Sequence, residues 1–189
     1  MVISATALDR ADRFSYHAHL PNRCPGAFRM NARDAIKISI DCGNMVALAY
    51  LEDLTDAEML HRPAPDANHI NWQLGHLVWS DHHHLEMGAP KFLKPLPDGF
   101  TTLYNAETAK VDDPTKLLTK AELLAAREVQ QRATIEALDQ QTDAELDRET
   151  GVFWAPTVAA LFSMAGSHWL MHSGQWAVIR RQLGRPPLF

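Results

Sequence analysis

The stretch PTVAALFSMAGSHWLMHSGQWAVIRRQLGRPP, residues 156–187, has the features of one long helix. Pro156 suits the first helical position, where its missing N–H is not needed. Gly184 suits the C-terminal cap, and the two prolines that follow it prevent the helix from continuing. We therefore predict a helix from about Pro156 to Leu183, roughly 40 Å long at 1.5 Å per residue.

Three further segments have helical patterns, and they are predicted to be helices over residues 31–54, 68–87 and 119–141. Asn31 and Asn68 are plausible N-caps, because a short polar side chain accepts a hydrogen bond from a free N–H of the first turn. Thr119 and Glu122 match the capping box, in which each side chain satisfies a backbone donor. The three segments and the stretch at residues 156–183 give four long helices.

The connection between the second and third predicted helices is long, from about residue 88 to residue 118, and is rich in proline. Two T-D-A-E segments, residues 55–58 and 142–145, match the start of a short helical turn. No convincing strand pattern appears anywhere in the chain. These features predict an all-α protein: a four-helix bundle with a long crossover loop between helices 2 and 3.

The composition is that of a folded protein. Of 189 residues, 46% are hydrophobic, and the length suits one domain. Residues 1–30 are polar and irregular, so we predict an N-terminal extension over residues 1–30 and a helical bundle over residues 31–189. The net charge of −5 and the pI near 6.0 argue against a general nucleic-acid binder.

The expected compartment follows from the termini, the apolar segments and the cysteines. The first thirty residues lack the apolar core of a signal peptide, and no run of 18 apolar residues predicts a membrane span. Two cysteines without a C-x-x-C spacing exclude a cysteine-rich zinc site and a disulfide framework. We expect a cytoplasmic protein with reduced thiols and no membrane partner.

The ten histidines are the unusual feature of the composition. His168 and His172 lie four residues apart in the last predicted helix, which places both imidazoles on one face, one turn apart. Two nitrogens in this arrangement can bind one divalent metal ion, although the glutamate of the helical H-E-x-x-H motif is absent. The alternative is a pair of polar residues that are hydrogen-bonded within a packed helix.

A catalytic zinc-type site needs a third protein ligand and leaves one position to water. The second predicted helix offers five histidines as candidates: His69, His76, His82, His83 and His84. His76 follows a glycine and is flanked by apolar residues, so we expect it to point inward, where an imidazole without a partner is costly. His83 lies roughly on the same face but about 10 Å along the axis, where it would line a pocket. At least two of the three consecutive histidines are expected at a solvated helix end.

Two motifs in the chain resemble one known family. Residues 71–77, NWQLGHL, resemble the W-x-x-G-H-[LI] signature of the DinB/YfiT-like superfamily. The last helix, with H-x-x-x-H-S-G-Q followed by a basic pair and L-G-x-P, resembles the last helix of that family. The resemblance covers about residues 31–187. It implies a four-helix bundle in which three histidines bind a divalent metal ion, commonly nickel or zinc, and the matching positions are His76, His168 and His172.

The resemblance also implies a range of reactions. Relatives of this family include thiol-dependent transferases and isomerases that use low-molecular-weight thiols, and proteins described as metal-dependent hydrolases. For this chain the resemblance therefore implies a small-molecule substrate, thiol-dependent S-transfer or metal-assisted hydrolysis, a low-molecular-weight thiol as a second cofactor, and a homodimer. The alternative is a metal-binding or dimerisation module without turnover.

Other side chains have weaker links to this site. Gln175, three residues after the histidine pair, could orient a ligand or a bound water, or else be a surface amide. Asn71 and Asp81 are further candidates for such a supporting role. Arg180 and Arg181 offset the dipole at the end of the last helix, and one of them could receive an anionic thiol. The five tryptophans are expected in the core or at an interface, with two of them as possible pocket walls.

Overall fold

Four long helices account for most of the fold in the computed structural model, which describes residues 30–189. The long helices are α1 (Ala32–Leu51), α3 (Ile70–Gly88), α5 (Lys120–Gln140) and α7 (Val158–Gln182). Three short helices lie between them: α2 (Asp56–Met59), α4 (Phe100–Leu103) and α6 (Asp143–Leu146). The prediction of an all-α fold is confirmed.

The helix starts follow the capping residues of the sequence. Asn31 caps α1 and Thr119 caps α5, each in a full capping box with the acidic residue three positions later. Thr55 and Thr142, which open the two T-D-A-E segments, cap α2 and α6 in the same way. Each box satisfies backbone donors at a helix start, which explains why local sequence sets these boundaries.

The prediction that the chain has no strands is wrong at one place. Strand β1 (Glu149–Val152) pairs antiparallel with β2 (Ala155–Thr157), and Gly151 has a positive φ of 76° that favours glycine. These strands are too short to show an alternating pattern. Because Pro156 lies in β2, α7 starts later than predicted, at Val158.

The connection from α3 to α5 is tied to α3 by hydrogen bonds. It contains α4 and three short 3₁₀ helices, which are Pro90–Phe92, Ala106–Lys110 and Pro114–Lys116. Tyr104 packs against the backbone of α3 at Gly75, where a Cβ atom would lie only 2.2 Å from the tyrosine ring. The Tyr104 hydroxyl donates to Asn71 Oδ1 at 3.3 Å and accepts from the Leu118 N–H at 3.0 Å. The glycine before His76 is therefore required for packing of the crossover segment.

Helices α1 and α7 approach each other closely through two glycines. A Cβ atom on Gly43 would lie 2.7 Å from the carbonyl oxygen of Gly166, and one on Gly166 would lie 2.5 Å from that of Ser39. Helix α3 packs on the other side of α7 and against α5. The large side chains Trp169 and Trp176 fill the centre of this arrangement and are fully buried.

Two further predictions concern the N-terminal extension and membrane spans. Of the extension predicted over residues 1–30, residues 1–29 lie outside the described residues, so the boundary near residue 30 stays a prediction. Among the helices of the described part, none is long and apolar enough to cross a membrane.

Candidate metal centre

Helices α3 and α7 run in opposite directions and pack side by side. Near the start of α3, Gln73 contacts Trp176, and at its end Gly88 lies against Leu161. This arrangement brings the middle of α3, with His76, opposite the middle of α7.

The imidazoles of His76, His168 and His172 meet between these two helices. The ring centroid of His76 is 5.2 Å from that of His168 and 5.6 Å from that of His172, and the two α7 rings are 4.9 Å apart. One nitrogen from each ring lies within 4.8 Å of the other two. Within residues 30–189, no other group of three histidine, cysteine or acidic side chains converges in this way. The structure thus brings together the three histidines that the sequence motifs single out.

The side-chain amide of Gln73 determines which nitrogen of His172 carries the proton. Its Nε2 donates to the carbonyl of Asn68 at 2.6 Å, and its Oε1 accepts from the indole N–H of Trp176 at 2.8 Å. Because Oε1 only accepts, Nδ1 of His172 donates to it, at 2.9 Å. Nε2 of His172 is then unprotonated in the neutral ring, and it faces Nε2 of His168 at 3.2 Å.

The other two histidines have incomplete hydrogen bonding. Nδ1 of His168 is buried and has no partner. His76 lies between two indoles: its ring is stacked on Trp72 at 5.1 Å and 3°, and on Trp79 at 6.2 Å and 27°. No hydrogen bond to the His76 ring occurs in the described part of the chain. The aromatic rings therefore hold His76 in place without using its nitrogens.

Burial lowers the pKa of all three imidazoles. Desolvation lowers the pKa of His76. Desolvation and then the neighbouring His76 lower the pKa of His168 to about 4. The pKa of His172 is lowered to about 3 by desolvation, and further by His168 and His76. At neutral pH the three rings are uncharged, which is the form that binds a metal ion.

The spacing of the two α7 nitrogens matches that of two ligands on one metal ion, and a nitrogen of His76 lies within 4.8 Å of both. Two nitrogens bound at 2.0–2.1 Å to a tetrahedral ion lie about 3.3 Å apart. The Nε2 atoms of His168 and His172 are 3.2 Å apart. With His76 as the third donor, the set has the composition of a catalytic site that keeps one position open. Imidazole nitrogen suits zinc, and it suits nickel as well.

His69 is not part of this cluster, and the interpretation of His69 as a candidate ligand is wrong. It is the N-cap of α3, where its Nδ1 accepts from the backbone N–H of Trp72 at 3.0 Å. Its Nε2 donates to the carbonyl of Val111 at 2.8 Å. Both nitrogens are used in starting the helix. Asn68, the predicted cap, lies one residue earlier and instead accepts from Gln73 through its carbonyl.

The three consecutive histidines point in different directions, as expected. His83 is partly exposed, hydrogen-bonds Glu86 at 3.1 Å and stacks on Trp79 at 5.3 Å. His82 is half-buried at the side of α3 that faces α5. His84 has a buried Nδ1 atom. The partly exposed positions of His82 and His83 agree with the predicted solvated helix end.

The supporting amide is not the one that the sequence suggested. Gln175 is exposed on α7, and within the described residues it makes no hydrogen bond to a histidine. The amide beside His172 is that of Gln73, three residues before His76 and on the same face of α3. This spacing was the available signal, but polar residues at such spacing are common and nothing in the sequence indicated the contact across to α7.

Asn71, Asp81 and Arg180 have structural partners. Asn71 donates to the carbonyl of Leu118 at 2.7 Å. Asp81 Oδ2 accepts from the indole of Trp169 at 2.8 Å, and desolvation raises the pKa of Asp81 to about 7.

Arg180 is 1% exposed and pairs with Asp53, so it is not available to an anionic thiol. Arg181 is exposed.

Comparison with known proteins agrees with this architecture. The family model of the DinB superfamily matches residues 43–176, a segment that contains the three histidines. The chain belongs to the DinB superfamily. A similar solved structure is that of a conserved protein from Enterococcus faecalis, with a TM-score of 0.63 and 19% identity. The match covers 83% of this chain and 100% of that one.

At this identity, the likeness to the Enterococcus faecalis protein shows the DinB-like fold alone. No curated protein matches the chain. Any function of this DinB-superfamily member must therefore be inferred from its own residues.

Proposed function

We propose that His76, His168 and His172 bind one divalent metal ion, nickel or zinc, in a site with an open coordination position. The observation that carries this proposal is the convergence of three uncharged imidazoles, two of which place their Nε2 atoms 3.2 Å apart. In the neutral rings a proton on Nε2 of His168 bridges these two nitrogens. A divalent ion can take the place of that proton and bind the third imidazole as well.

When it is bound, such an ion is a Lewis acid that lets water or a thiol lose its proton near neutral pH. The contribution of the protein is to hold the ligands. Gln73 holds the His172 ring by Nδ1, and the indoles of Trp72 and Trp79 fix His76 and exclude water on both of its faces. This arrangement supports a metalloenzyme that acts on a small molecule, by thiol-dependent S-transfer or by metal-assisted hydrolysis.

A second candidate is a metal-binding module without turnover that forms a homodimer. It is favoured by large apolar side chains on the outer surfaces of α1 and α7. These are Ile38, Met45 and Leu48 on α1, and Leu170, Met171 and Val178 on α7. Surfaces of this kind often mark protein contacts. A homodimer is compatible with either function.

Metal analysis tests the site. The purified wild-type protein is expected to contain about one metal ion per chain, and His76→Ala, His168→Ala and His172→Ala are each expected to lose it. His61→Ala is the matched control, since His61 lies outside the cluster and contacts Gln182. If His76→Ala retains the wild-type metal content, the assignment of the site fails.

Thiol-dependent consumption of an electrophile tests the reaction. The metal-loaded protein is mixed with a chlorodinitrobenzene-type electrophile and with glutathione, bacillithiol or mycothiol in turn. Under the transferase proposal, one thiol gives turnover that is lost in His172→Ala. Turnover of ester or amide substrates without any thiol would select hydrolysis, and the absence of both activities would favour the module. The proposed cytoplasmic location would keep such a thiol, and the exposed Cys42, in the reduced state.

A further inference from the structure

A small cavity lies inside the bundle next to the metal centre, between α3, α5 and α7. Asp81, His84 and Thr134 supply its polar lining. The rest of its wall is apolar and consists of Leu85, Leu161, Phe162 and Ala165. The cavity offers about 10 Å³ to the centre of a water-sized sphere, which is room for one water molecule.

Two of these polar side chains each have a buried atom without a partner. Oδ2 of Asp81 accepts from Trp169, but Oδ1 of Asp81 is buried and has no hydrogen bond. Nδ1 of His84 is also buried without a partner. Because the two residues lie three apart on α3 and line the same cavity, their unsatisfied atoms face a common space. Leaving both atoms unpaired in an apolar wall is costly.

Thr134 supplies a third hydrogen-bonding group to the cavity, beside Asp81 and His84. Its hydroxyl donates to the carbonyl of Gln130 at 2.9 Å, so its oxygen remains free to accept a hydrogen bond. A water molecule in the cavity then donates to Asp81 Oδ1 and to the Thr134 hydroxyl, and accepts from His84 Nδ1–H. Buried waters typically make about three hydrogen bonds of this kind.

We propose that this cavity binds one ordered water molecule, and that Asp81 acts through this water to fix the ring orientation and the tautomer of His84. With the proton on Nδ1, the unprotonated Nε2 of His84 is left on the side away from the cavity. His84 lies against Trp154 at 5.6 Å, and its pKa is lowered to about 4 by desolvation and then by the neighbouring His168, His83 and His76. Asp81 is thus a positioning residue for a fourth histidine beside the metal centre.

The use of His84 rests on the proposed function. If the three histidines bind a metal ion, the unprotonated Nε2 of His84 would be available as a hydrogen-bond acceptor near that ion. The water molecule and the tautomer do not depend on metal binding. They are expected in the zinc-loaded protein and in the metal-free protein, so a failed metal assignment and a failed water site give different results.

A high-resolution crystal structure and nitrogen NMR of the imidazole rings test the proposal directly. The crystal structure is expected to show one water within hydrogen-bond distance of Asp81 Oδ1, His84 Nδ1 and Thr134 Oγ1. At pH 8, the ring nitrogens of His84, assigned with His84→Gln, are expected to show a protonated Nδ1 and an unprotonated Nε2. A dry cavity, a water bound to Arg127 instead of His84, or a proton on Nε2 would overturn the proposal.

Two substitutions test the role of Asp81. In Asp81→Asn only one side-chain oxygen remains, so it cannot serve both Trp169 and the water, and the nitrogen shifts of His84 are expected to move toward a mixture of tautomers. Asp98→Asn, at an exposed position, is the matched control and should leave the shifts unchanged. Thr134→Val removes one partner of the water and serves as a second variant, with a smaller shift in the same direction. Wild-type shifts in both Asp81→Asn and Thr134→Val would contradict the proposal.

Discussion

The start of α3 has a buried histidine and its middle has a half-buried one, and the two are used in opposite ways. At the start, His69 is fully buried, and both of its ring nitrogens are hydrogen-bonded to the backbone. In the middle, the ring of His76 is held by stacking and has no hydrogen bond among the described residues. Desolvation lowers the pKa of both imidazoles, so desolvation does not separate the structural histidine from the proposed metal ligand. The difference lies in whether the nitrogens have partners.

The same distinction applies to α7. His172 uses Nδ1 for Gln73 and directs Nε2 at Nε2 of His168, while His168 has a buried Nδ1 without a partner. Buried ring nitrogens without partners lower the free energy of unfolding, and a ligand that binds them in the folded state raises it again. The cluster is thus incomplete in the metal-free protein, in contrast to the cap at His69.

The comparison within α3 predicts opposite results for two matched substitutions. His76→Ala should abolish metal binding, while the free energy of unfolding of the metal-free protein falls by only about 1 kcal/mol, since mainly a ring stack is lost. His69→Ala should lower that free energy by about 2–4 kcal/mol, because a helix cap, a buried hydrogen bond and packing volume are lost together. Its folded fraction should still bind one metal ion.

Denaturant unfolding in the presence of a chelator and metal analysis of the folded protein measure the two effects. If His69→Ala lost the metal while it remained folded, or if His76→Ala proved the more destabilising in the metal-free state, the contrast between the two histidines would be wrong.

Gln73 and Gln175 give the next largest contrast. Gln73→Leu removes the acceptor that holds His172 Nδ1–H, and metal affinity is expected to fall by roughly 10–100-fold. Gln175→Leu, on the exposed side of α7, should leave metal affinity unchanged. Competition with a metal-binding dye measures both affinities. Equal losses in the two variants would mean that the hydrogen bond to His172 has no special role.

A smaller effect is expected from pH in the metal-free protein. The pKa of His172 is about 3 in the folded chain and about 6.5 in an unfolded one. Below pH 6.5 the unfolded chain therefore binds more protons, and the free energy of unfolding falls as the pH falls. From pH 7 to pH 5 His172 contributes a loss of at most about 2 kcal/mol, and His168 acts in the same direction. Burial raises the pKa of Asp81 to about 7, so Asp81 acts in the opposite direction over the whole of this range and by a similar amount, about 2 kcal/mol. The contribution of the histidines is therefore measured as a difference between two variants rather than as the net change of the wild type.

The matched measurement compares denaturant unfolding at pH 7 and pH 5 in the wild type and in the double variant His168→Ala/His172→Ala. The variant is expected to lose less stability on acidification than the wild type. An equal or larger loss would show that the two α7 histidines are not buried in the uncharged form.

Local sequence was sufficient for much of the helical framework. The capping boxes at Asn31 and Thr119 are completed by neighbours three residues away, so these helix starts do not depend on the rest of the fold. The spacing of His168 and His172 likewise follows from the helical repeat. The choice of His76 as the third member came from the family motif, since the second predicted helix offered five histidines.

The features that the sequence did not predict depend on tertiary contacts, which the spacing of residues along the chain does not reveal. His69 caps α3 with one ring nitrogen, and its other ring nitrogen donates a hydrogen bond to the carbonyl of Val111, far along the chain. Gln73 reaches His172 and Trp176 across the helix pair. The short hairpin at residues 149–157 depends on pairing over too few residues to leave a pattern. These features are set by tertiary packing, which overrides local preference.

X-ray absorption at the metal edge of the purified protein would show whether His76, His168 and His172 bind one metal ion. We expect a nickel or zinc edge and a first shell with three imidazole nitrogens, at about 2.0–2.1 Å for zinc. One further ligand atom is expected in the open position. The imidazole scattering should disappear in His76→Ala. A first shell with fewer than three imidazole nitrogens, or a metal that remains bound with the same spectrum in His76→Ala, would contradict the proposed site.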